Sequence, residues 1–342
     1  HLRDGAMLTA VARFTAERFG RAIVMPNLAP EPVTTTEKAQ AYRTRILEVT
    51  KEYKKFTPLM TIYLTEHTDP EDVEKGFRSG VVKAAKLYPA HSTTNSAQGV
   101  TDMKTILPVL KKMEEIGMPL LVHGETVRDF DDAVISPEKR EEAFLATTLP
   151  KLLKHFPNLK IVLEHVTTAQ GVEFVKRAAM RRLAATVTAH HLMMTMEDVL
   201  GSDTPAHFSC TPVPKTEEDF AALREAATSG DPHFFLGTDS APHPVSAKEG
   251  QNPPPGIFTA LAGLELYAQV FDDEGRLDKL EAFASVNGAN FYGMPVNEET
   301  VTLVREPWTI DAVVSMRGGE SIRPFGYHEK SDVRLPINWR IR

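Results

Sequence analysis

The sequence predicts an α/β protein, specifically a (β/α)8 TIM barrel with parallel strands inside and helices outside. Short, near-continuous apolar runs recur along the chain, and charged segments with helical periodicity separate them. An open doubly wound sheet is the alternative. Such a sheet would need a glycine-rich phosphate turn to bind a dinucleotide, and neither G-x-G-x-x-G nor a P-loop motif occurs.

Seven apolar runs have the length and composition of strands that are buried on both faces of a parallel sheet. In chain order they cover residues 21–25, 59–64, 81–88, 119–123, 160–165, 184–188 and 234–239. A closed barrel of this class has eight strands. Because the chain starts at His1 without a methionine, we expect the first strand to lie upstream, as if truncated.

Helical patterns fill the intervals between these strands. They cover residues 35–49, 70–78, 107–116, 137–155, 169–182 and 217–228. Pro119, Pro157 and Pro232 stand at or just before strand starts, where a proline prevents a helix from continuing. We expect residues 1–342 to form a single domain, with a C-terminal extension from about residue 295 wrapped on the barrel.

Composition excludes several classes of protein. The 342 residues carry 39 basic and 46 acidic side chains, a net charge of −7, and the basic ones are scattered, which argues against nucleic acid as a partner. No run approaches the ~18 apolar residues of a membrane span. The single cysteine, Cys210, forms no intrachain disulfide and fits a reducing compartment, so we expect a cytoplasmic protein. Organellar targeting from a segment upstream of His1 stays open.

Polar residues collect at the predicted carboxyl ends of the strands, where barrels of this class place their active sites. They are Asn27, Lys86, His123, His165 and Asp239, together with His1 and Arg3 after the presumed first strand. A single histidine at a strand end is usually structural. Their shared position at one end of several strands predicts a site.

Histidine and carboxylate groups are zinc ligands, so His1, His123, His165 and Asp239 form a candidate metal set. Lys86 has two interpretations. Its amine could be a Schiff-base nucleophile with a lowered pKa. Alternatively, carbon dioxide could convert it to a carbamate that bridges two cations. The carbamate is favoured, because two dications among neutral imidazoles need negative charge.

Six motifs carry a family resemblance. They are His1-Leu2-Arg3-Asp4-Gly5, Met25-Pro26-Asn27-Leu28, Ala85-Lys86-Leu87-Tyr88-Pro89, Val122-His123-Gly124-Glu125, Glu164-His165 and Gly237-Thr238-Asp239-Ser240-Ala241-Pro242-His243. In this order they resemble the dihydroorotase family, in the stand-alone class of the amidohydrolase superfamily. The resemblance spans His1 to about Gly293.

The resemblance implies a TIM barrel of the metal-dependent amidohydrolase type with two zinc ions per subunit. Lys86 would be an N6-carboxylysine that bridges them. His1 and Asp239 would bind the more buried zinc ion, and His123 and His165 the more exposed one. The family's first motif is His-x-His-x-Arg, so a further histidine ligand is expected two positions before His1.

The resemblance also implies an activity, the reversible cyclisation of N-carbamoyl-L-aspartate to L-dihydroorotate in pyrimidine biosynthesis. A metal-bridging hydroxide would be the nucleophile, and Asp239 would be the general acid and base. The physiological metal stays open among zinc, cobalt and manganese, because nitrogen and oxygen sites select weakly by affinity. The subunits of this family commonly form homodimers.

Substrate contacts follow partly from the residues themselves. Arg3 and Asn27 offer a guanidinium fork and an amide for a carboxylate. The remaining contacts are implied by the resemblance: His243, the loop threonines Thr93 and Thr94, and main-chain groups at Thr211 and Pro255. The adjacent pair His190 and His191 is interpreted as structural, since neighbouring side chains diverge.

Two other functions compete with this one. The first is a lyase or aldolase barrel in which Lys86 forms a Schiff base, which borohydride trapping would detect. The second is a metal-free scaffold that acts as an interaction protein. Relatives of that kind usually lack the lysine or the aspartate, and this chain has both, so the scaffold ranks last.

Overall fold

The computed structural model describes residues 1–178, 182–199, 206–328 and 333–342. Seven parallel strands form one curled sheet in which each strand pairs with the next along the chain. They are β1 (Arg21–Val24), β2 (Thr57–Tyr63), β3 (Val82–Leu87), β4 (Leu120–His123), β5 (Ile161–Glu164), β6 (Leu183–Val187) and β7 (Phe234–Leu236). The TIM-barrel architecture and all seven predicted strands are confirmed. An eighth strand upstream stays a prediction.

The helices lie between consecutive strands and after the last of them. They are α1 (Gly5–Arg18), α2 (Thr36–Val49), α3 (Pro70–Arg78), α4 (Leu107–Ile116), α5 (Arg140–His155), α6 (Ala169–Ala178), α7 (Met196–Val199), α8 (Glu217–Thr228), α9 (Val245–Lys248), α10 (Glu265–Asp273) and α11 (Asn287–Phe291). A π-helical turn, Ala282–Val286, precedes α11.

Helix ends follow their local sequence signals. Thr35 caps α2 by accepting a hydrogen bond from the Lys38 amide, and Thr216 forms a capping box at the start of α8. Pro70 opens α3 at a position where its missing N–H costs nothing. At the other end of α4, Gly117 takes the left-handed conformation with φ 72°.

The differences from the predicted elements are small. A 3₁₀ turn, Pro137–Lys139, forms the start of the helix predicted over 137–155. Residues 179–181 of the helix predicted over 169–182 lie outside the described residues. Strand β7 ends at Leu236, earlier than predicted, so Asp239 lies on the loop that follows it. Helices α1, α7, α9, α10 and α11 were not predicted.

Residues after about 295 pack on the outside of the sheet and helices. They contain β8 (Leu303–Thr309) and β13 (Pro336–Ile341), an antiparallel pair, and the short strands β9 (Val314–Ser315), β10 (Ser321–Ile322), β11 (Tyr327–His328) and β12 (Val333–Arg334). Arg305 in β8 forms an ion pair with Asp272 in α10 at 2.7 Å, and the Trp339 indole donates to the same carboxylate. Among the described residues, no helix is long and apolar enough to cross a membrane.

The sheet interior explains why the strands read as continuous apolar runs. Every residue of β4, β5 and β6 is buried, because neighbouring strands and helices cover both faces. All strands point the same way, so their carboxyl ends lie together at one end of the sheet. The polar residues that follow them are therefore brought together.

Candidate active site

A cavity of about 1120 Å³ lies at the carboxyl ends of the strands and extends along β1 and β7. The predicted site residues that line it are His1, Arg3, Asn27, Lys86, Thr93, Thr94, His123, His165, Thr211, Asp239 and Pro255. His243 does not line the cavity but contacts two residues that do. Predicted residues from eight separated segments thus share one site.

His1 joins β1 to the loop after β7. Its Nδ1 lies 2.7 Å from Asn27 Oδ1, and its Nε2 lies 2.9 Å from Asp239 Oδ1. Burial lowers the pKa of His1 although Asp239 opposes this, and a neutral ring has one N–H only. If Nδ1 carries this hydrogen and donates it to Asn27, the lone pair of Nε2 faces the Asp239 carboxylate oxygen. A cation between these two atoms would satisfy both of them.

His123 and His165 form a second such pair. Nδ1 of His123 lies 3.1 Å from Nε2 of His165, and Nδ1 of His165 has no partner among the described residues. Burial lowers the pKa of His165 well below its usual value, and the neighbouring His123 and Lys86 lower it further, because a second cation beside them would be unfavourable. Two ring nitrogens that face each other at this separation are suitable candidates to bind one divalent cation.

The backbone holds two of these ligands in a strained conformation. His165 has φ 46° and Asp239 has φ 42°, in the left-handed region that residues with a side chain seldom adopt. The His165 amide donates to Thr186 Oγ1 at 2.8 Å, and the Thr186 hydroxyl donates to Glu164. These bonds keep the residue turned from the strand end toward the cavity.

Lys86 is buried at the end of β3, and its Nζ lies 5.2 Å over the Tyr88 ring. Within the described part of the chain, Nζ makes no hydrogen bond. Burial lowers the pKa of Lys86 although the charges of Glu164 and Asp239 oppose this. The neutral amine is the form that reacts with carbon dioxide or a carbonyl, so the site suits either interpretation of Lys86.

Asp239 is the acidic member of the candidate set. Burial by itself would raise its pKa, but the hydrogen-bond contact with His1 and the favourable electrostatic interaction of the carboxylate with His1, His165 and His190 outweigh burial and lower it. The carboxylate is therefore ionised, as a metal ligand requires.

The predicted carboxylate-binding groups form a chain of contacts. Arg3 donates from Nε to the Pro242 carbonyl at 3.0 Å, and its Nη2 lies 3.0 Å from His243 Nε2. That same Nε2 lies 3.1 Å from the Pro255 carbonyl. Burial and the positive charges of Arg3 and Lys248 lower the pKa of His243 to about 2, so its ring is neutral. Nε2 can serve only one of these partners at a time.

The loop that is predicted to close over the substrate contacts Pro255 and Asn27. The Thr94 hydroxyl donates to the Pro255 carbonyl at 2.9 Å, and Asn27 Nδ2 donates to the Thr94 carbonyl at 3.0 Å. The Thr93 amide donates to Ser96 Oγ at 2.9 Å, which leaves the Thr93 side chain at the cavity wall. Both threonines and Thr211 line the cavity, and their contact with substrate stays a prediction.

One buried carboxylate at the site received no role from the sequence. Glu125 is fully buried, and its Oε2 lies 2.6 Å from His123 Nε2. A signal was present in the sequence, since Glu125 follows His123 by two residues in the motif Val122-His123-Gly124-Glu125. Alone, however, such spacing does not separate a histidine partner from a capping or surface acid.

His190, His191 and Cys210 come together, contrary to the expectation that adjacent histidines diverge. Their ligand atoms lie within 4.8 Å of one another. His191 Nε2 and Cys210 Sγ each contact the Pro212 carbonyl, at 3.0 and 3.3 Å. Those two groups therefore already have a partner, whereas neither nitrogen of His190 has one among the described residues.

Comparison with known proteins assigns a family to most of the chain. Residues 1–302 match the model of the amidohydrolase family. A dihydroorotase of Azoarcus sp. (strain BH72) is 50% identical over 331 residues, which cover 94% of this chain and 94% of that protein.

Two solved structures agree with this match. A dihydroorotase of Saccharomyces cerevisiae in complex with 5-fluoroorotic acid has a TM-score of 0.88 and 34% identity, and the match covers 100% of this chain and 95% of the yeast chain. A dihydroorotase of Campylobacter jejuni gives a TM-score of 0.87 and 35% identity, with 100% and 94% of the two chains covered. The chain belongs to the amidohydrolase family and, within it, to the dihydroorotases.

Proposed function

We propose that this protein catalyses the reversible cyclisation of N-carbamoyl-L-aspartate to L-dihydroorotate. The observation that supports this most directly is the pair of short ligand contacts at one end of the sheet, His1 with Asp239 and His123 with His165. They lie in a chain that shares half of its residues with dihydroorotases along nearly its full length.

Two zinc ions per subunit fit these residues. His1 and Asp239 would hold the more buried ion, His123 and His165 the other, and a carboxylated Lys86 would bridge them. When bound, the ions would lower the pKa of a shared water and polarise the carbonyl that it attacks. The buried Lys86 amine, which has no hydrogen-bond partner in the described part of the chain, is the observation that favours its carboxylation.

Asp239 is the proton carrier in this proposal. Its ionised carboxylate would accept the proton of the attacking water and deliver it to the ring nitrogen that leaves when dihydroorotate opens. In the cyclisation direction the same group would remove the proton from the ureido nitrogen. His1 and the left-handed backbone at Asp239 hold the carboxylate in place for both steps.

The substrate carboxylate would bind Arg3, Asn27 and His243. A bound carboxylate would accept from both Arg3 and His243, which ends the competition for His243 Nε2 described above. Thr93 and Thr94 would lie over the bound substrate and exclude water from the cavity. The main chain at Thr211 and Pro255 would contact the ring.

The rest of the proposal concerns the whole protein. We infer a cytoplasmic homodimer that acts on a small molecule, with neither nucleic acid nor a membrane as partner. Residues 1–342 would form one domain, with an extension from about residue 295. The homodimer is inferred from the family, whose members commonly form homodimers. The cytoplasmic location is inferred from the single cysteine.

The test is hydrolysis of L-dihydroorotate, followed by its ultraviolet absorbance, before and after removal of metal with a chelator. We expect activity, its loss on chelation and its return with zinc. Activity that survives complete metal removal would overturn the zinc proposal. If borohydride together with a carbonyl substrate inactivated the protein by labelling Lys86, the Schiff-base alternative would replace it.

A further inference from the structure

Lys248, the last residue of α9, is buried with an ammonium group that contacts three main-chain carbonyls. Its Nζ donates to Ser209 O at 3.1 Å, to Pro254 O at 3.0 Å and to Gly256 O at 3.0 Å. An ammonium has three N–H donors, so each carbonyl can receive one. This arrangement links α9 to two separate loop segments.

The sequence of the second segment explains why it needs such a donor. Residues 252–256 read Asn-Pro-Pro-Pro-Gly, and three successive prolines have no N–H. The turn therefore cannot satisfy its carbonyls from its own backbone, as most turns do. Lys248 supplies donors from outside the turn.

The carbonyls of this turn point in two directions. Those of Pro254 and Gly256 face Lys248, while the Pro255 carbonyl between them faces the site, where it contacts Thr94 Oγ1 and His243 Nε2. Fixing the outer two carbonyls fixes the direction of the middle one. The Lys248 ammonium thus lies directly behind a predicted substrate contact.

The first segment is tied to the same cation. Ser209 O accepts from Lys248 and also from the Gly256 amide at 2.8 Å. Thr211, the other predicted main-chain contact, lies two residues after Ser209. One lysine therefore joins the two segments that are predicted to hold the ring of the substrate.

Gly256 restricts the turn from its other side. Its φ is +145°, and a Cβ added there would lie 2.7 Å from the Ala241 carbonyl and 2.9 Å from His243 Nε2. The turn is packed against the loop that carries His243, so it cannot shift toward the site to compensate for lost hydrogen bonds. Loss of the lysine would free it to move away.

We propose that Lys248 is a positioning residue that sets the main chain at Pro255 and Thr211 for substrate binding. This inference rests on the proposed function. Lys248 does not reach the predicted metal ligands, so its removal weakens substrate binding and leaves the chemical step largely unchanged. Such a change raises KM while kcat stays nearly constant.

The experiment compares Lys248→Met with Lys160→Met in the metal-loaded enzyme. Methionine keeps an unbranched side chain without donors. Lys160 is the matched control, because its Nζ also donates to a carbonyl, that of Phe291 at 2.9 Å, but precedes β5 at the opposite end of the sheet. KM and kcat for L-dihydroorotate, metal content and thermal unfolding are measured for all three proteins.

We expect Lys248→Met to raise KM about tenfold or more, which corresponds to the loss of one charge-assisted hydrogen bond, with kcat within about threefold of the parent. Lys160→Met should keep both constants. A folded, metal-loaded Lys248→Met variant with unchanged KM overturns the inference, and so does one that loses kcat alone.

Lys248→Arg covers the case in which the methionine variant does not fold. A planar guanidinium keeps the charge but cannot direct three donors as a tripod, so KM should rise by a smaller factor. An unchanged KM in that variant also overturns the inference. If the parent enzyme itself does not hydrolyse L-dihydroorotate, the proposed function fails first, a result distinct from a change confined to the variants.

Discussion

Nε2 of His123 lies 2.6 Å from Oε2 of Glu125, and both side chains are buried. A carboxylate at this distance accepts the Nε2 hydrogen and so fixes the tautomer of the ring. Nδ1 is then left with its lone pair, and it is the atom that faces His165 Nε2 at 3.1 Å. Glu125 therefore determines which nitrogen of His123 is available to a metal.

Replacing Glu125 should weaken metal binding. In Glu125→Ala, the His123 ring loses the partner that orients it, and changes of this kind cost about 10- to 100-fold in metal affinity. Competition for zinc with a chromophoric chelator measures the effect.

Glu141→Gln is the matched control for Glu125. Glu141 is another buried carboxylate, but it accepts from Thr167 and Thr168 and contacts none of the predicted ligands. That variant should be less stable yet bind zinc normally. Equal zinc affinity in Glu125→Ala and the parent would show that the ring is oriented without Glu125.

Asp239→Asn should abolish most of the activity, because the amide can neither accept nor deliver the proton. We expect kcat for dihydroorotate hydrolysis to fall by about 10²- to 10⁴-fold. Asp231→Asn is the control, since Asp231 forms a similar contact with His233, 2.7 Å from its Nδ1, just before β7 and away from the site. Metal content must be measured in both, and a fully active Asp239→Asn enzyme would exclude the proton-carrier role.

The sheet could be predicted from the sequence because burial on both faces leaves a direct trace. Runs such as residues 120–122 and 161–163 are apolar without interruption, and proline marks several of the strand starts. Helix α1 left a weaker trace. It starts at Gly5, two residues after the predicted site residue Arg3, and its apolar side chains are interrupted by polar ones.

The grouping of the candidate site residues could also be predicted from the sequence, because it follows from the order of the strands. Residues at the ends of parallel strands must meet, so His123, His165 and Lys86 could be grouped without coordinates. Contacts between loops have no such rule. Lys248 reaches Ser209 and Pro254 only because α9 and two loop segments pack together, and no spacing in the sequence encodes that arrangement.

Carboxylation of Lys86 should be visible directly. In enzyme prepared with ¹³C-bicarbonate, we expect one carbamate resonance in the ¹³C spectrum, and Lys86→Arg should lack both this signal and the bound metals. Lys83→Arg, a change on the same strand, should keep both. A parent enzyme that is fully loaded and active without the resonance would refute the bridging carbamate.

His190 should make the protein less stable in acid. Burial lowers its pKa to about 4 in the folded protein, against 6.5 when unfolded. Between these values the unfolded chain binds a proton that the folded chain does not, so the free energy of unfolding falls as the pH drops from 6.5 to 4. The full effect of this residue is about 3 kcal/mol at the acid end.

His190→Leu tests this contribution. Leucine cannot titrate, so the free energy of unfolding from urea melts should fall less steeply between pH 6.5 and 4 than in the parent. Above pH 6.5 the variant should be at least as stable, since the imidazole nitrogens bond to nothing in the described part of the chain. His67→Leu, at an exposed position, is measured beside it as a control for the replacement of a histidine by leucine. An unchanged slope in His190→Leu would contradict the prediction. Fewer metal ions per chain in that variant would instead make His190 a ligand, together with His191 and Cys210.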